Sequence, residues 1–130
     1  MHRSRIGVVL IDHPFDTYDA ATAFWLGVRG GSIGTSEDQA DDSPYVSLDP
    51  LPGGMLLELQ RTGSGTGARV HLDIETDDVV AEIARVVALG ASIVHEHDGY
   101  AVMRDPGGLL FCVVPVQTGD EFDRYATTWP

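Results

Sequence analysis

Three residues set a reactive group among apolar neighbours: Glu58 in Leu57-Glu58-Leu59, His71 in Val70-His71-Leu72 and Cys112 in Phe111-Cys112-Val113. A carboxylate and an imidazole sharing a pocket make an acid–base pair that moves protons. With the cysteine added, the set Glu58, His71 and Cys112 makes a three-ligand metal site with water at the fourth place, as in catalytic zinc sites. Each residue also has an ordinary reading. A strand histidine is commonly satisfied by a carboxylate, and Asp73 and Glu75 share the face of His71. An inward glutamate is costly unless paired, and an arginine would pair it. A cysteine among apolar residues packs as a small hydrophobe unless a cation or helix N-terminus activates it. His95-Glu96-His97 resembles a metal-binding tract but precedes Asp98-Gly99, so it reads as a solvated polar turn. His13 before Pro14 reads the same way.

Strands must place these groups. Ile6-Gly7-Val8-Val9-Leu10-Ile11-Asp12 and Arg69-Val70-His71-Leu72-Asp73-Ile74-Glu75 are both β-branched and nearly alternating. Aligning Val8 with His71 gives an offset of 71 − 8 = 63, which carries Leu26-Gly27 onto Leu89-Gly90, both read as helix ends capped by glycine. Helices are expected over about 16–28 and 77–89, the second opening on the N-capping pair Asp77-Asp78. Each half then holds a hairpin, Tyr45 to Gln60 and Ala101 to Val114, turning at Asp-Pro and Gly-Gly. A third element lies at Ala91-Ser92-Ile93-Val94, with a poor glycine-rich counterpart near Gly31-Ser32-Ile33-Gly34. Residues 35–43 form an acidic loop, disordered or acting as a lid.

The expected fold is therefore α+β: two βαβββ modules forming a cupped, open eight-stranded, barrel-like sheet. The 130 residues make one domain, with modules at about 5–62 and 68–116 and a tail at 117–130. Alternation puts Asp12, Glu58, Gln60, His71, Asp73 and Cys112 on inward faces, the candidate ligand-binding set, with Glu58 and His71 as candidate catalytic residues. Repeat symmetry makes Val8 equivalent to His71 and Glu58 equivalent to Cys112, so the four meet at the centre of the cup.

Composition narrows the class. A net charge of −12, with eight basic residues against twenty acidic ones, opposes binding to nucleic acid or to an anionic membrane. A lone cysteine forms no internal disulfide, and no apolar run is long enough for a spanning helix, so the chain reads as cytoplasmic. Phe122, Tyr125 and Trp129 make the tail apolar enough to dock on the domain or on a second subunit, and a homodimer is expected.

The residues that repeat also carry a family resemblance. Ala23-Phe24-Trp25, Leu57-Glu58-Leu59, the stretch from His71-Leu72-Asp73 through Ala88-Leu89-Gly90-Ala91, and Asp105-Pro106-Gly107-Gly108 resemble the glyoxalase and bleomycin-resistance families of the vicinal-oxygen-chelate superfamily. That resemblance covers essentially the whole chain. It implies a small organic ligand in the cup and either lyase or isomerase chemistry or non-enzymatic sequestration of a drug or metabolite. In the metal-dependent members the four ligand places fall, by resemblance, on Val8, Glu58, His71 and Cys112. Valine binds no metal and cysteine changes the ligand type. The expectation is therefore no cofactor, with zinc or nickel as the alternative, and extradiol dioxygenase chemistry is disfavoured.

Overall fold

The computed structural model describes residues 1–32, 45–63 and 67–130. Of the edge element expected near 31–34, residues 33–34 fall outside the described residues, as does the loop at 35–43.

The first module comprises strand β1 (His2–Pro14), helix α1 (Tyr18–Arg29), the two-residue β2 (Gly31–Ser32), β3 (Tyr45–Leu48) and β4 (Leu56–Thr62). The second comprises β5 (Arg69–Thr76), α2 (Val79–Ala88), β6 (Ser92–His97), β7 (Tyr100–Arg104) and β8 (Leu110–Pro115). A short helix α3 (Asp120–Tyr125) and strand β9 (Thr127–Trp129) complete the chain. The eight module strands join in the order β2-β3-β4-β1-β5-β8-β7-β6, and β9 adds to β1.

Register confirms the βαβββ repeat. β1 runs parallel to β4 with Leu10 opposite Glu58, and β5 runs parallel to β8 with Asp73 opposite Cys112. At the centre β1 and β5 are antiparallel, with Val9 opposite Leu72 and the pairs Val8–Asp73 and Leu10–His71 on either side. A two-fold axis through the Val9–Leu72 pair relates the halves, and 72 − 9 = 63 is the offset read from the strands. The helices do not keep it. α1 continues past Leu26-Gly27 to a C-cap at Gly30, while the C-cap of α2 is Leu89, so the caps differ by 89 − 30 = 59. Gly27 sits inside α1, and Gly30 takes the positive φ of 83°.

Each helix covers its own half of one sheet face. Tyr18, Trp25 and Leu26 of α1 pack on Val46, Leu48 and Leu59. Val79, Ile83 and Val86 of α2 pack on Ala101, Met103, Phe111 and Val113. The Asp78 carboxylate caps α2 by accepting from the Ala81 N–H at 3.0 Å. The second hairpin turn follows its residue chemistry. Asp105 Oδ1 accepts from the N–H groups of Gly107 and Leu109, each at 2.8 Å.

Two sequence expectations need correction, and a third loses a premise. His13 and Pro14 belong to β1, where they continue the parallel ladder opposite Arg61 and Thr62 of β4. His95-Glu96-His97 is not a turn but the end of β6, whose ladder with β7 runs to His97 opposite Tyr100. The tail aromatics give little support to a dimer, because the tail closes back on its own chain. Phe122 is buried, Trp129 Nε1 donates to Ser4 Oγ at 2.8 Å with Arg85 over its ring, and only Tyr125 stays largely exposed.

Under the tail lies a buried acidic residue. Glu75 is fully buried and accepts from Arg5 Nε at 2.8 Å, from Thr118 Oγ1 at 2.6 Å, and from the Gln117 and Thr118 N–H groups at 2.9 and 3.0 Å. Burial alone would raise its pKa, but these donors outweigh burial and hold the carboxyl below its ordinary value. Gly7 makes the space, since a Cβ there would stand 2.2 Å from Glu75 Oε2.

Candidate functional site

Helices cover one face of the sheet, and side chains on the opposite face line a cavity of about 710 Å³. All six residues read as ligand-binding (Asp12, Glu58, Gln60, His71, Asp73 and Cys112) line it. They arrive there by strand alternation across four neighbouring strands, with Leu10, Leu56, Val102 and Leu110 as apolar ground between them. Val8, expected at the centre, is buried and does not line the cavity.

The ionisable groups sort into one pair, one trio and one single group. Asp12 is buried, with Oδ2 3.6 Å from Arg69 Nε, while its Oδ1 has no hydrogen-bond partner among the described residues. Burial raises its pKa against the pull of His71 and Arg69. His71 Nε2 lies 3.4 Å from Asp73 Oδ1 and 3.3 Å from Cys112 Sγ. Asp73 first, and then Cys112, hold the imidazole up to about 9 against burial, so it is protonated at neutral pH. Glu58 stands apart, half-buried and with no hydrogen bond or ion pair among the described residues. Burial first, and then the Asp73 charge, raise its pKa. The ordinary reading of a salt-bridged Glu58 is therefore not what the fold provides, whereas the ordinary reading of His71 as carboxylate-paired is.

The geometry limits the chemistry. One nitrogen of His71 serves both Asp73 and Cys112. A Cys-His-Asp nucleophilic triad uses the two ring nitrogens separately, so the arrangement is not of that kind. As a metal site the donors do fit. The His71, Asp73 and Cys112 ligand atoms lie within 4.8 Å of one another, a nitrogen, oxygen and sulfur set that leaves a fourth place open. Asp73 occupies the place in this set that the sequence reading assigned to Glu58.

Sequence reasoning passed over Tyr45, Arg69 and Tyr100, which also line the cavity. Arg69 shares the face of His71 two residues on, a signal the alternation already carried. Gln60 Nε2 donates to the Tyr45 hydroxyl at 3.3 Å.

The sequence pattern of a family described as "Glyoxalase-like domain" matches residues 9–114. Among solved structures, two variants of Streptomyces coelicolor methylmalonyl-CoA epimerase in complex with 2-nitronate-propionyl-CoA are similar to the chain. They give TM-scores of 0.53 and 0.55 at 16% and 15% identity, each covering 87% of this chain and 98% of the other. The NAD-dependent benzaldehyde dehydrogenase of Legionella pneumophila gives a TM-score of 0.51 at 15% identity, covering 85% and 98%. At these identities the likeness shows a shared fold. Comparison with curated protein sequences finds no match.

Proposed function

Because the chain belongs to the glyoxalase-like domain family of the vicinal-oxygen-chelate superfamily, we propose that it is an isomerase or lyase acting on a small carbonyl compound. The carrying observation is Glu58, a half-buried carboxylate with no partner among the described residues, on the wall of a cavity that also holds a protonated His71. In this reading Glu58 is the general base that takes a proton from carbon beside the carbonyl. The electron pair moves to the carbonyl oxygen, and the positive charge of the His71 ring stabilises the charge that develops there. Glu58 then returns the proton to carbon, or a β-substituent leaves instead. The fold is shared with a methylmalonyl-CoA epimerase, which suits this reading.

The protein is read as working without a resident metal. Where a zinc or nickel ion is carried, His71, Asp73 and Cys112 hold it, and it supplies polarisation of the substrate oxygen. The two modules, about 5–62 and 68–116, are read as one domain with the tail at 117–130. The working unit is read as a homodimer in the cytoplasm. Exposed Ile93 and Val94 on the open edge strand β6 favour self-association, and the free Cys112 suits a reducing compartment. Among the described residues no helix is long and apolar enough to cross a membrane.

The test is hydrogen–deuterium exchange at carbon in D2O, followed by NMR over a panel of ketones and thioesters. Exchange that depends on Glu58 supports the reading. Ligands that bind the parent but exchange no faster than in buffer favour sequestration, to which the net charge of −12 and three cavity carboxylates suit a cationic compound. Sedimentation showing a monomer at high micromolar concentration overturns the dimer.

A further inference from the structure

The two modules each send one tyrosine to the cavity, and the register makes them equivalent. Ser47 of β3 stands opposite Glu58, and Val102 of β7 stands opposite Cys112. Glu58 and Cys112 are themselves related by the two-fold axis, since they pair with Leu10 and Asp73. Two residues along each hairpin strand, on the same face, come Tyr45 and Tyr100. Both line the cavity, and both keep part of the side chain open, at 40% and 38% exposure. The Tyr45 pKa is raised by burial first, then by Asp73, Glu58 and Tyr100, in keeping with both tyrosines lining the same cavity.

Tyr100 is also braced from outside. His97 pairs with Tyr100 and His95 with Val102, and both partners line the cavity, so the two imidazoles lie on the cavity side of β6. The His97 ring stacks on Tyr100 at 4.4 Å and 9°, and the His95 ring meets His97 at 4.2 Å. A bulge between Ile93 and His95 sets this phase along the strand. The tract that read as a solvated turn is thus a strand whose exposed imidazoles continue the aromatic face beyond Tyr100.

We propose that Tyr45 and Tyr100 form a two-sided aromatic clamp that selects ligands with a planar conjugated group, the carbonyl carbon acid reaching inward to Glu58. The clamp names the substrate class of the activity proposed above and rests on that reading for the inward end only. Flat π-systems gain from offset or edge contact with tyrosine rings, whereas a saturated ring of the same size offers only bulk.

Acetophenone and cyclohexyl methyl ketone are suitable probes, alike in carbonyl and size and different in planarity. In NMR titrations the parent binds acetophenone about 3- to 10-fold more tightly, the range such contacts supply. Tyr45→Leu and Tyr100→Leu each reduce that preference, and Tyr45→Phe and Tyr100→Phe retain it. Thermal unfolding checks that every variant folds. Equal affinity for the two probes, no binding of either, or a preference that survives both leucine variants overturns the clamp. Glu58→Gln leaves the preference intact. Loss of exchange with a preserved preference therefore points to the base, and loss of preference with preserved exchange points to the clamp.

Discussion

His71 and Cys112 meet diagonally across the β5–β8 pair, with Nε2 3.3 Å from Sγ, while Asp73 sits directly opposite Cys112 and shares the same nitrogen at 3.4 Å. One protonated ring thereby draws on two strands of the second module, and the first module contributes Glu58 without a partner. The asymmetry between two equivalent strand positions, Glu58 and Cys112, separates base from electrostatic partner.

The His71 arrangement predicts an order of effects on its titration, read by NMR in chelator-treated protein. Asp73 is the leading cause of the rise to about 9, so Asp73→Asn lowers the midpoint towards 6.5 further than Cys112→Ala does. The reverse order would contradict the geometry. Because the folded value is raised, this pair's contribution to stability is complete below 6.5 and is lost as pH rises through about 9.

Glu58→Gln should lower carbon–deuterium exchange by about 100-fold or more, the usual yield of a positioned base. The melting temperature should hold or rise, because the change removes an unpaired half-buried charge. A large loss of stability would mean that Glu58 is structural.

Gly7→Ala should destabilise the protein by about 1–3 kcal/mol in urea unfolding, the ordinary cost of overpacking. The new methyl would force Glu75 away from Arg5 and Thr118. A neutral outcome would show that the carboxylate has room to turn.

Acid stability should depend on Glu82, which is fully buried beneath Arg85 and His2. Burial pushes its pKa up, but Arg85, Ser4 and His2 outweigh burial and leave it below 4.5. A lowered folded value means that this stability is present above 4.5 and is lost as pH falls through the folded pKa. The melting temperature should hold from neutral pH to about 5 and fall below that, and Glu82→Gln should flatten the fall. At neutral pH, Glu82→Ala should cost about 3 kcal/mol, as when one partner of a buried pair is removed.

Metal content provides a further check. Purified protein should carry less than one equivalent of zinc or nickel by mass spectrometry. Added zinc should bind less tightly to Asp73→Asn and equally well to Glu58→Gln, because Asp73 and not Glu58 joins His71 and Cys112. The opposite pattern would place the ligands where the sequence alone put them.

The strands and their faces were legible because alternation with period two is a local property. Val8, His71, Glu58 and Cys112 already showed the repeat, and the central β1–β5 register has the same offset of 63. Helix ends were less legible. Leu26-Gly27 has the composition of a cap, but packing of Trp25 and Leu26 on the sheet carries α1 onward to Gly30. What tertiary structure decided was pairing. Whether His71 meets Cys112, 41 positions away, whether His97 stacks on Tyr100, 3 positions away, and whether any arginine reaches Glu58 are settled by how the strands lie side by side. Residue type and alternation along a strand determine which side chains face the cavity. Only the lateral order of the strands, a matter of long-range hydrogen bonding and burial, decides which of those groups meet and which single carboxylate is left free to act.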